Sequence, residues 1–338
     1  MNSGTVEFEL ITVPDNFDGQ YSAPFNMAKD EYLLEHCSTS FILFWRNRSA
    51  VIVGVNQNTL SEVDLEYTNS HDIEVVRRMS GGGAVYHDMG NICYTVIAPY
   101  KSDVDTYREF SAPVIEYLNS IGVKAEFSGR NDITVNGFKI SGNAQRIKGD
   151  RIMHHGTILF DTDLSVLEKA LIPSPLKLKS KGIKSVRARV VNIKEFCKES
   201  TTADEFLKGL NNYFKQRYRE RQLTESEILE IKKIAKGKYS TYEWNVGKSP
   251  KSEFLRKHKF DYGIVELGFN LVDGVISDVA IHGDFFEIES IEALRDKLNG
   301  VKPVKQDLLV ALQGIDKIIK GAEPEEFIEK LFFSGENI

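Results

Sequence analysis

GRNDITVNGFKISGNAQR, residues 129–146, decides how this chain reads. Asn136-Gly137 stands between DITV and FKI, and both positions tolerate the positive φ that a type I′ turn requires, so the stretch is an antiparallel hairpin. Strand alternation puts Phe138 and Ile140 on one face and leaves Lys139 on the other with Ser141. A lysine on a strand is ordinarily a solvated edge residue. This one is bracketed by Arg130, Asn131 and Asp132 before it and by Ser141, Gly142 and Asn143 after it, which makes it a candidate for the floor of a pocket.

Working outward, short apolar runs separated by turn residues occupy 41–55, 73–79, 84–98 and 123–160. They predict a mainly antiparallel or mixed sheet. Helical stretches interleave at 26–36, 103–119 and 164–171, and two later ones open on capping boxes, Thr202 with Glu205 and Thr224 with Glu227. After Ser240 the stretch TYEWNVGKSPKSEF reads as a connector. A second hairpin about Asp273-Gly274 and a helical region at 289–331 follow it. The expectation is an α+β fold: a large domain over 1–245 with helices flanking the sheet, and a small α+β domain over 246–338.

A second stretch, RRMSGGGAVYHD at 77–88, sets three glycines after paired arginines. No lysine followed by Ser or Thr comes after them, so this is not a P-loop. The dinucleotide fingerprint needs glycine where Tyr86 stands, and the loop joins two strands rather than a strand and a helix. What remains is general: glycines let backbone N–H groups approach an anion, and adjacent arginines add charge-assisted bonds.

Composition narrows the function classes. The chain has 338 residues, 41% hydrophobic and 27% charged, with a formal net charge of −6, which is the profile of a globular protein. The acidic balance argues against non-specific nucleic-acid binding. The start, MNSGTVEFEL, lacks the basic and apolar regions of a signal peptide, and the apolar runs FILFW and AVIVGV fall far short of the roughly 18 residues of a membrane span, so a cytoplasmic protein without a membrane is expected. Cys37, Cys93 and Cys197 have no CxxC spacing and are taken as reduced, packed thiols. His154 and His155 are adjacent on a strand, face opposite ways and cannot share a zinc ion.

Four ordered motifs, RRMSGGGAVYHDMGN (77–91), GRNDITVNGFKISGNAQR (129–146), DRIMHHGTILFDTDL (150–164) and KGIKSVRARVVNI (181–193), resemble those of the lipoate-protein ligases. PFNMAKDEYLL (24–34), GVNQN (54–58) and GDFF (283–286) resemble that family too, so the likeness spans nearly the whole chain. The resemblance implies an enzyme that activates lipoate with ATP to lipoyl-AMP and passes the lipoyl group to a lysine of a lipoyl domain. It implies that Lys139 is the essential lysine, touching acyl carbonyl and phosphate. Carried over residue by residue, it implies an ATP and lipoyl-adenylate site formed by Arg78, Gly81, Gly82, Gly83, Ala84, Val85, Tyr86, Asn91, Asn131, Asp132, Lys139, Ser141, Gly142 and His155, with the HHGT segment contributing mainly backbone. Mg²⁺ is expected with the nucleotide phosphates, Asp132 being its candidate protein ligand. Partners implied are the lipoyl domains of 2-oxoacid dehydrogenase E2 subunits or the glycine-cleavage H protein, met by a monomer. A run of basic residues, Lys177, Lys179, Lys181, Lys184, Arg187 and Arg189, is expected to form a lid that meets the acceptor and steers it by charge.

Two alternatives stay open at this point. An ATP-independent octanoyl or lipoyl transferase of the same fold would use a cysteine a few tens of residues past the lysine, but the interval from Lys139 to Arg189 has none and Cys197 lies 58 residues on. A non-catalytic lipoyl-binding protein would need no intact motifs, whereas Lys139, Arg78 and the glycines are all present.

Overall fold

The computed structural model describes residues 8–172, 190–197, 200–247 and 254–333. The large part contains strands β1 (Phe8–Thr12), β2 (Ser40–Trp45), β3 (Ala50–Val53), β4 (Glu74–Arg77), β5 (Val85–His87), β6 (Asn91–Pro99), β7 (Ala125–Ser128), β8 (Asp132–Val135), β9 (Phe138–Lys148), β10 (Arg151–Leu159) and β11 (Arg219–Gln222). Its helices are α1 (Ala23–His36), α2 (Thr59–Glu62), α3 (Leu65–Ser70), α4 (Thr106–Ser120), α5 (Leu164–Ala170), α6 (Ala203–Lys215) and α7 (Glu225–Ile234). Eight strands form one sheet in the order β11-β1-β2-β6-β10-β9-β8-β7, parallel at the β11-β1-β2 edge and antiparallel elsewhere. A smaller sheet, β4-β3-β5, carries the glycine loop between its outer strands.

β6 is apolar almost throughout because both of its faces are covered. Ile92, Tyr94 and Val96 pack with Phe110 and Val114 of α4 and with Phe206, Leu210 and Phe214 of α6. Cys93 and Ile97 point the other way, toward Leu33 of α1 and Ile228 and Ile231 of α7. α6 and α7 begin on the two capping boxes read from the sequence, each reciprocal through Glu205 and Glu227. α1 starts at Ser22, whose hydroxyl accepts from the Phe25 amide at 3.4 Å. Its inner face is unusual in burying polar residues, Asn26, Lys29 and Asp30, among apolar neighbours.

The hairpins at Asn136-Gly137 and Asp273-Gly274 form with positive φ at all four residues, as type I′ turns demand. The alternation read from FKIS is corrected. Asp132 pairs with Gly142 and Ile133 with Ser141, but Thr134 pairs with Lys139, so Ile140 is an extra residue in β9. Such a bulge reverses the alternation beyond it. Phe138 is 45% exposed while Ile140 is fully buried, and Lys139 falls on the face opposite Ser141.

The small part is a meander of β12 (Phe254–Phe260), β13 (Gly263–Val272) and β14 (Val275–Gly283) with α8 (Ile291–Leu298), α9 (Lys305–Ala311) and α10 (Pro324–Ile328). It has a core of its own, built on Val265, Leu267, Ile281, Leu294, Leu298 and Phe327. The stretch before it is not the loose connector that its small and polar residues suggest. Asn245 and Val246 are buried against the large part, where Trp244 Nε1 donates to the Arg77 carbonyl at 2.9 Å and the Arg77 amide donates to Asn245 Oδ1 at 2.9 Å. No helix among the described residues is long and apolar enough to cross a membrane.

Candidate active site

The glycine loop rests on two buried arginines. Arg77 donates through Nη1 to the carbonyls of Gly54, Val55 and Gln57 at 3.0, 3.0 and 2.6 Å and through Nη2 to Thr59 Oγ1 at 2.7 Å. Arg78 donates through Nε to Ser80 Oγ at 3.1 Å, through Nη1 to the Ile52 carbonyl at 3.0 Å and through Nη2 to the carbonyls of Gly81 and Gly83 at 2.5 and 2.9 Å. Arg78 thus organises the glycine loop from beneath while Arg77 holds the 54–59 turn beside it, and in this conformation the donors of both are used on the protein rather than extended toward a ligand. Their charge stays. Burial draws both down only to about 10, and among the described residues neither has a carboxylate partner. Two buried cations without a carboxylate partner among the described residues create a positive potential beside the loop, where an anion would sit.

Each glycine has its own reason. Gly82 adopts φ +89°, a conformation that side chains resist, and a Cβ on Gly81 would lie 2.3 Å from the Phe285 carbonyl. A Cβ on Gly83 would meet nothing within 4 Å. Gly82 donates its amide to the Phe285 carbonyl at 3.4 Å, so the GDFF segment of the small part leans on the loop. Around that contact Arg130 stacks on Phe286 and donates to the Tyr262 carbonyl at 2.8 Å, Arg146 pairs with the buried Glu287, and Asn56 Nδ2 donates to Glu287 Oε2 at 3.1 Å.

His155 joins the loop to the helix behind it. Its Nε2 lies 2.6 Å from Ser80 Oγ and its Nδ1 3.2 Å from Asp30 Oδ2, and Asp30 also accepts from Thr95 Oγ1 at 3.0 and 3.1 Å. The HHGT segment therefore sets the His155 side chain between the loop and α1. His154 faces away as expected, with Nδ1 3.0 Å from Gln145 Nε2 and its rings neighbours Tyr94, Tyr107 and Phe110, where burial drops its pKa to about 3.

Lys139 completes this side of the sheet. Its Nζ lies 2.7 Å from Asp132 Oδ1, and a Cβ on Gly142 would be 2.8 Å from the same ammonium. Gly142 and Ala144 alternate along β9, Ala144 pairs with His155, and the Gly142 amide donates to Thr157 Oγ1 at 3.2 Å. The ammonium, the histidine and the glycine loop thus lie on one face, a few residues apart along two paired strands. Lys139 and Asp132 are each about a third exposed, at 36% and 35%, so a ligand can reach them.

Other expected site residues are scattered. Ser141 is on the opposite face, where its Oγ accepts from Asn143 Nδ2 at 3.4 Å. Asn131 braces β9 by donating to the Asn143 carbonyl at 2.6 Å. Ala84 and Tyr86 turn into a separate core with Val51 and Val53, Val85 packs beside α1, and Asn91 is buried with its Nδ2 on Cys93 Sγ at 3.2 Å. Cys93 is a buried thiol pushed well above its ordinary pKa, hence packed and protonated. Lys177, Lys179, Lys181, Lys184, Arg187 and Arg189 lie outside the described residues. Asp30, Ser80 and Asn245 were missed from the sequence, and Arg77 was read there only as a cation beside an anion. The signal available for Asp30 was weak, a polar i, i+3, i+4 stripe, Asn26-Lys29-Asp30, in a helix that also carries Glu31, Glu35 and His36. No group of three His, Cys, Asp or Glu among the described residues could hold a metal by itself. An ion carried by nucleotide phosphates needs only one or two protein carboxylates, and Asp132 meets that requirement.

Residues 22–215 match the family described as lipoyl protein ligase A/B catalytic domain, and residues 249–331 match bacterial lipoate protein ligase C-terminus. The chain is 41% identical over 280 residues to lipoate-protein ligase 1 of Staphylococcus aureus, covering 81% of this chain and 85% of that one. It is 38% identical over 301 residues to lipoate-protein ligase LplJ of Bacillus subtilis, covering 86% and 90%. Among solved structures, P. falciparum LipL1 in complex with lipoate superposes with a TM-score of 0.78 at 26% identity, covering 95% of this chain and 97% of that one. A bipartite lipoate protein ligase with its E2 lipoyl domain from Thermoplasma acidophilum gives 0.63 at 28%, covering 74% and 100%, and a lipoate-protein ligase A bound with ATP gives 0.59 at 27%, covering 71% and 99%.

Proposed function

The chain belongs to the lipoate-protein ligase family, and we propose that it joins lipoate to a lysine of a lipoyl domain in two ATP-dependent half-reactions at one site. The observation that carries this reading is the pairing of a glycine loop held by the buried, carboxylate-free Arg78 with an accessible lysine on the large sheet, the loop meeting that sheet through Ser80 and His155. The ATP-bound and lipoate-bound neighbours support the ligands, and the neighbour with an E2 lipoyl domain supports the acceptor class.

In the first step a lipoate carboxylate oxygen attacks the α-phosphorus and the bond to the β-phosphate oxygen breaks, giving lipoyl-AMP and pyrophosphate. Negative charge grows on the α-phosphate as this happens. The glycine loop receives it, and the Lys139 ammonium leaves Asp132 for a phosphate oxygen and the acyl carbonyl. In the second step the acceptor lysine amine attacks the carbonyl carbon, the carbon–oxygen bond to AMP breaks, and the same ammonium offsets charge on the carbonyl oxygen. Mg²⁺ on the phosphates, with Asp132 near, would neutralise the departing pyrophosphate. The domain reading, 1–245 for this chemistry and 246–338 as an accessory unit, is part of the proposal, as are the individual site residues carried by the resemblance. Lipoate-dependent exchange of labelled pyrophosphate into ATP tests it. A ligase catalyses the exchange, and its absence in the purified protein would leave a transferase or a binder.

A further inference from the structure

We infer that Asp30 is a positioning residue for the nucleotide step, acting through His155 and Ser80 on the glycine loop. The inference rests on the adenylation reading above. A carboxylate only accepts, so the 3.2 Å contact with Asp30 puts a proton on His155 Nδ1. Arg78 Nε donates into Ser80 Oγ, so the Ser80 hydroxyl is free to donate into His155 Nε2 at 2.6 Å. Every donor in the chain from Trp45 Nε1 through Thr95, Asp30, His155 and Ser80 to Arg78 then has one acceptor, and all six residues are buried.

The arrangement costs a buried carboxylate, and the hydrogen bonds from the Thr95 hydroxyl and from His155, with the nearby Lys29 ammonium, offset that cost. The main chain of Ser80 does not depend on it, since its carbonyl already accepts from the Val55 amide at 2.9 Å. What the relay adds is the side-chain direction of Ser80, which accepts from Arg78 Nε and so sets the guanidinium whose Nη2 holds the carbonyls of Gly81 and Gly83. The residues resemble a serine-hydrolase triad in order, but Ser80 is fully buried and has no path to attack a substrate.

The test is pyrophosphate exchange with ATP varied, on the wild-type chain and on Asp30→Asn, Ser80→Ala, Asp30→Asn/Ser80→Ala, His155→Asn and His155→Gln, each checked by thermal melting. Gln at 155 can accept from the Ser80 hydroxyl, whereas Asn reaches only Asp30. Asp30→Asn should raise the ATP KM about tenfold, the scale of one hydrogen bond to a charged group, with a smaller change in kcat. The double variant should be no worse than its worse single, and His155→Asn should raise the ATP KM further than His155→Gln at comparable melting temperatures. Losses that multiply in the double variant, or equal KM values for Asn and Gln at 155, overturn the relay while leaving the adenylation reading intact. Absence of exchange in the wild-type chain sinks that reading and the relay with it.

Discussion

Lys139 shows how much a single residue's role depends on its neighbours. Its ammonium is held by Asp132 and closed in by Gly142. Lys139→Ala should abolish both pyrophosphate exchange and transfer from preformed lipoyl-AMP, measured separately, because one ammonium offsets charge in both steps. Lys29 poses the opposite problem, a fully buried ammonium with Asn26 Oδ1 at 2.6 Å and the Trp45 ring as its contacts. Burial lowers its pKa from 10.5 to about 8. Between those values the unfolded chain binds more protons than the folded one, so stability rises with pH across that window and the penalty on the charged form is complete below it. A shift of that size corresponds to about 3 kcal/mol, so Lys29→Met should flatten the rise in unfolding stability between pH 8 and 10.5, as urea titrations would record. An unchanged pH slope would count against the assignment.

At the scale of elements, the glycine loop and the β9 bulge govern the site. The hairpin, the capping boxes and the strand positions were legible because turn chemistry and apolar period are local properties. The bulge was not, since a single extra residue leaves no local mark in FKIS: Ile140 goes inward because the core on that side has room for it beside Ile133. The same holds for Arg77 and Arg78, which read as anion ligands until their carbonyl acceptors are known. Two substitutions separate shape from ligand contact in the loop. Gly81→Ala should lower the melting temperature, because its Cβ collides with the Phe285 carbonyl. Gly83→Ala should leave melting nearly unaltered and weaken ATP in the exchange assay, its Cβ occupying the space open to a phosphate. A Gly83→Ala protein with wild-type ATP dependence would remove that glycine from the site.

For the molecule as a whole, the small part touches the site instead of hanging from it. Glu287 lies buried between Arg146 and Asn56, and Phe286 sits under Arg130. Removing one partner of a buried pair strands the other, so Glu287→Ala should cost about 3 kcal/mol and loosen the small part first, visible as an earlier transition in limited proteolysis. The acidic chain also carries its proposed acceptor lid as a local basic run. Charge reversal at Lys177, Lys179 and Lys181 should lower the rate of acceptor capture, and its salt dependence, with little change in pyrophosphate exchange. An unchanged transfer rate would free that segment from the role.

The sequence by itself determined the elements, the hairpin turns, the order of the motifs and, through them, the family. Each of these is written in local spacing: the period of apolar residues, glycine where φ is positive, a capping residue three places before its partner. Only the tertiary structure decided which side of β9 Lys139 faces, that Arg78 serves the loop from beneath, that Trp244 and Asn245 of the expected connector clasp Arg77, and that Asp30 reaches Ser80 through a histidine 125 residues away. Those outcomes depend on which carbonyl or carboxylate arrives from a distant segment to meet a buried donor. Hydrogen bonding in a core is settled by proximity in space, and no local pattern encodes it.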